Sequence, residues 1–161
     1  MLWSDVTMWS PNALLESSYD LQDNRRQLLD AADKLSQALN GLASQGDAAD
    51  EARAALTARI SELDSHIGDV SELLMATADA ADGVSQVRTR VADCFDTAAV
   101  DKLTIGQDGS VSWSIDLEDY ARKGIDTSGI TVYYEMRARK VADMIEDTLT
   151  LANRVDTDYA Q

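Results

Sequence analysis

The sequence predicts a mainly all-α fold: a long antiparallel helical hairpin, a third long helix, and a small β-hairpin between the second and last helices. Three observations carry this. Leucines recur every seven residues at Leu14, Leu21, Leu28, Leu35 and Leu42, the spacing that lays a narrow seam along one helix. A second stretch repeats the pattern after a glycine, with Leu56, Leu63 and Val70 in one row and Ile60, Ile67 and Leu74 in the other. Beyond it the period changes from helical to alternating and then back. Composition agrees: one proline and 6% aromatic residues in a chain of 161 favour long helices.

Residues 1–9, MLWSDVTMW, read as an extended lead-in. Ser10-Pro11 then starts a helix, since serine caps free backbone N–H groups and proline at the first helical position loses no hydrogen bond. This helix is expected over about residues 11–43, with Ala31, Ala32, Ala38 and Leu39 partly filling a second row. Ser44-Gln45-Gly46 reads as the hairpin turn. Its glycine lets the chain reverse, and the alanines that follow (Ala48, Ala49, Ala52, Ala54, Ala55) allow two helices to approach closely.

The second helix is expected over about residues 47–98, with Asp47 as its cap and Asp50 and Glu51 at the positive end of its dipole. One row continues to Val84 and Val91, interrupted by Thr77; the other continues to Ala81 and Phe95, interrupted by Arg88. Gly68 and Gly83 mark places for a bend or a close approach. At ~1.5 Å per residue the two helices span ~50 and ~75 Å, so the second overhangs the first and needs another cover.

The stretch KLTIGQDGSVSWSI alternates, with an Asp108-Gly109 turn, and reads as a β-hairpin over about residues 102–115. Two strands alone are marginal, so the hairpin is expected to pack on the helical tip. DLEDYARK reads as a short helix ended by Gly124. The last helix, about residues 130–159, puts Val141, Ile145, Leu149, Ala152, Val155 and Tyr159 on one face and is the expected cover for the overhang. No low-complexity linker divides the chain, which reads as one domain, 1–161.

The net charge of −15, from 29 acidic and 14 basic residues, argues against nucleic acid, whose phosphates need clustered Lys and Arg. It equally disfavours an anionic membrane surface. No basic-then-apolar signal opens the chain, and no apolar run approaches the ~20 residues of a membrane span. His66, the only histidine, lacks companions for zinc or base chemistry and reads as a surface residue. Cys94, the only cysteine, reads as a small buried or half-buried residue beside Phe95. The many carboxylates lack the Glu-x-x-His pattern of helical di-metal sites. No catalytic set, cofactor site or metal site is therefore expected. Trp3, Trp9 and Trp113 leave two readings open: locks on the ends of the bundle, or partner-facing aromatics.

Two antiparallel helices joined at a glycine, followed by DAADEARAAL, resemble the WXG-type helical hairpins of type VII secretion, which carry a Trp-x-Gly motif at the turn. Here Ser44-Gln45-Gly46 keeps the glycine and has serine in place of the tryptophan. MWSPNALLESSYDLQD resembles the Trp-x-Pro-x-x-Leu opening of longer actinobacterial proteins of this type. RVADCFDTAAVDKLTIGQDGSVSW is similar to the segment that closes their second helix and enters a hairpin, and LANRVDTDYAQ to the end of a further helix. Tyr19-x-x-x-Asp23 has the letters of the family's export signal, but an acid-rich chain matches it by chance.

The resemblance implies a non-enzymatic targeting or interaction module of an exported protein, secreted without a cleaved signal or held at the cell envelope, and cytoplasmic before export. Its implied partners are another WXG-type helical protein, a chaperone or the secretion ATPase. The residues themselves leave two alternatives: an intracellular coiled-coil adaptor whose seams pair with a second copy, and an acidic binder of the antitoxin or immunity kind.

Overall fold

A computed structural model describes residues 1–159. The elements are α1 (Trp3–Thr7), α2 (Asn12–Gly41), α3 (Asp47–Val100), β1 (Leu103–Ile105), β2 (Val111–Trp113), α4 (Leu117–Arg122) and α5 (Ser128–Tyr159). The fold is thus mainly α-helical, with a helical hairpin, a long last helix and a small antiparallel sheet between helices. The chain divides into two compact units. One is α2 with α3 as far as Ala81; the other joins residues 1–11 to the chain from Asp82 onward.

The helical hairpin turns where glycine permits it, with Gly46 at φ +111°. The backbone N–H groups of Ala49 and Asp50 both donate to the Gly46 carbonyl, starting α3. Arg53, one turn further on, donates to the carbonyls of Leu42 (3.1 Å) and Ser44 (2.5 Å) and to the Asp50 carboxylate. These carbonyls lie beyond the end of α2 and have no helical partner of their own. Of the turn alanines only Ala49 is buried and Ala52 half-buried. Further along, Arg25 Nε of α2 donates to Ser71 Oγ of α3 at 2.8 Å and ties the two helices.

The second unit holds the densest core. Val87, Val91, Cys94 and Ala98 of α3 share one cluster with Val141, Ile145 and Ala152 of α5, together with Trp3, Val6 and Leu103. The end of α3 is therefore covered by α5, as the overhang requires. Gly83 permits their close approach, because a Cβ there would lie 2.8 Å from Val155 Cγ2. The β-hairpin pairs Leu103 with Trp113 and Ile105 with Val111, so the alternating residues share one face, and β2 packs on α5. Asp116 caps α4 by accepting from the Asp119 N–H at 3.0 Å, and Gly124 follows at φ +72°.

Three expectations are corrected. Residues 1–9 are not extended: α1 forms because Trp3 and Val6 can both be buried one turn apart, and Asp5 accepts from the Leu2 N–H. Phe95 is not a seam residue. From Val84 onward the buried positions are Val84, Val87, Val91, Cys94 and Ala98, so the second row shifts by one position where Ala80 and Ala81 are both buried. Phe95 is left 44% exposed, its ring 6.0 Å from that of Trp3. On α5, Tyr159 is exposed and Thr148 is buried instead. The Thr148 hydroxyl is satisfied by donating to the Met144 carbonyl at 2.7 Å, which removes the cost of burying it.

Candidate interaction surface

The sequence-predicted seam residues all lie in the helical hairpin, and the structure gives them one common property. Leu14, Leu21, Leu28, Leu35 and Leu42 of α2 are half-buried, and so are Leu56, Ile60, Leu63, Ile67, Val70 and Leu74 of α3. None of them is fully buried. On the same helix, Val87 and Cys94 are fully buried in the other unit. The cause is the number of neighbours. A helix packed against one other helix covers only part of an apolar stripe, whereas a core needs cover from more than one side. Leu15 and Leu29, each 39% exposed, extend the open apolar surface of α2.

No protein-family model, curated protein or solved structure matches this chain.

The predicted turn residues Ser44, Gln45 and Gly46 are exposed and connect the helices. Serine at position 44 contributes its carbonyl to Arg53. Arg53 itself escaped the sequence reading. Its signal is faint: a cation one turn into a helix whose first turn is acidic.

The tryptophans divide. Trp3 is 2% exposed and does not face a partner, because its indole is a wall of the core. Trp9 and Trp113 are half-buried against the same core, and the Trp113 ring lies 5.5 Å from Tyr134. All three pack in the unit that joins the N-terminal residues to the β-hairpin and α5. Near them an open hollow is lined by Trp3, Met8, Phe95 and Ile105.

Cys94 is buried with its Sγ 3.8 Å from the Thr148 hydroxyl. Burial raises the thiol pKa above its ordinary value of 9.0, opposed by the Thr148 contact; Asp93 raises it further and Arg90 lowers it. This is the setting of an unreactive thiol. His66 is exposed, with Nδ1 4.0 Å from Asp69. Asp101, whose side chain is 8% exposed, lies 3.7 Å from Arg137, and that guanidinium stacks 5.2 Å above the Tyr133 ring. This pair fixes the end of α3 to α5. Among the described residues, no three His, Cys, Asp or Glu side chains converge as a metal-ligand group, and no helix is long and apolar enough to cross a membrane.

Proposed function

We propose that this chain is a non-enzymatic helical targeting and interaction module of a type VII secretion substrate, docking a helical partner on the open seam of its hairpin. The single observation that carries the reading is the half-burial of eleven regularly spaced apolar residues along α2 and α3. Apolar side chains left only partly covered along both helices gain from a further helix that completes their burial, and helix-on-helix packing along a heptad seam is the chemistry their spacing serves. The order of short motifs around the turn, the opening Trp-x-Pro and the β-hairpin supports the family assignment. The partner classes are a WXG-type helical protein, a chaperone or the export ATPase.

The test is export from a host with type VII machinery, comparing the intact chain with one carrying Leu28→Ser and Leu63→Ser. Export is expected to fall several-fold while helicity by circular dichroism is retained. Unchanged export of the folded variant overturns the proposal. A concentration-dependent homodimer that exports independently of the seam would favour a coiled-coil adaptor instead.

A further inference from the structure

The hairpin seam also carries an electrostatic setting, and the inference drawn from it rests on the docking role proposed above. The hairpin's cations are Arg25, Arg26, Lys34, Arg53 and Arg59, and each is engaged within the hairpin. Arg26 pairs with Asp23 at 3.0 Å, Lys34 with Asp30 at 2.6 Å, Arg53 with Asp50 and Arg59 with Glu62. Arg25 donates to Ser71. Against these five stand thirteen carboxylates between Asn12 and Ala81, a surplus of eight. Asp20, Asp33, Asp64 and Glu72 are exposed, and among the described residues no cation lies within ion-pair distance of them.

We infer that the occupant of this seam is an amphipathic helix of another protein, with Lys and Arg flanking its apolar stripe, and not a second copy of this chain. The seam itself does not discriminate, since leucine rows accept any Leu, Ile or Val stripe. Selection falls to charge. A second copy brings the same negative surplus and no spare cation in its hairpin. A helix is about 10 Å wide, close to one Debye length at 0.1 M salt, so carboxylates on the outer faces of stacked helices still repel at low ionic strength. A basic-flanked helix meets the opposite field and gains in encounter rate and specificity.

The test uses the full chain and two synthetic four-heptad helical peptides with one apolar stripe in common. One has Lys at the flanking positions and the other has Glu. At low salt the Lys peptide is expected to bind about tenfold tighter or more, the gap narrowing towards 1 M NaCl as screening shortens to about 3 Å. The exposed substitutions Asp20→Lys, Asp33→Lys and Asp64→Lys together are expected to remove most of that preference. Equal binding of the two peptides, or a concentration-dependent dimer of the chain at low salt, overturns the charge selection while leaving the seam a docking surface. Binding of neither peptide by a chain that stays monomeric overturns the docking role itself.

Discussion

Gly109 meets two constraints at once. Its φ of +84° is a conformation that side chains disfavour, and a Cβ there would sit 3.2 Å from Trp3 Cβ and 3.4 Å from Ile145 Cγ2. Gly46 meets only the first, with φ +111° and open space around it. Gly46→Ala is expected to cost about 1–2 kcal/mol from backbone strain, and Gly109→Ala more, as read by denaturant unfolding. Equal costs would mean that Trp3 yields freely. Cys94 offers a second test. Its raised pKa means that the unfolded thiol ionises first, so its contribution to stability is intact below pH 9.0 and declines as pH rises above that value. At neutral pH, labelling of Cys94 by a thiol reagent should be slow and should accelerate with denaturant. Asp108 has the opposite sign. Hydrogen bonds from the Ser110 side chain and N–H hold its pKa below 3.8, so their support of the β-turn is present above that pH and is lost as pH falls through the lowered value.

Among the elements, the hairpin turn depends on an interaction that no periodicity announces. Arg53→Ala removes the donors to the Leu42 and Ser44 carbonyls. It is expected to cost about 1 kcal/mol, given partial exposure, with faster amide exchange at the start of α3. The seam itself should be soft. Leu63→Ala on the half-covered hairpin is expected to cost about 1 kcal/mol, and the smaller truncation Val87→Ala in the full core at least as much, which paired thermal melts can compare. These elements were legible to different degrees. Heptad leucines and the Asp-Gly turn are local patterns, and the long helices and β-hairpin follow from them directly. The shift of the α3 row at Ala80 and Ala81 was hidden because alanine fits either register, so Phe95 looked like the next apolar position. The first nine residues looked extended because α1 is too short to show a period, and it is held by long-range burial of Trp3 and Val6. Thr148 went unread because a polar residue enters a core only where a carbonyl such as that of Met144 receives it.

At the scale of the molecule, the compact unit built on α5 is discontinuous in sequence, since residues 1–11 belong with the chain beyond Asp82 while the hairpin occupies the stretch between. Removing Met1–Trp9 is expected to uncover Leu103 and Ile145 and to lower the melting temperature of that unit, leaving the hairpin's helicity in place; a far-ultraviolet melt with two transitions would show it. The arrangement also sets an order of events on the ribosome. The hairpin closes between near neighbours, and its chain is complete once Ala81 has emerged. Trp3 must wait for Gly109 and then Ile145, both more than a hundred residues later, before its pocket exists. While residues 82–145 are being made, the nascent protein is thus a finished hairpin preceded by an unsheltered indole, and α5 is the helix that puts α1 away.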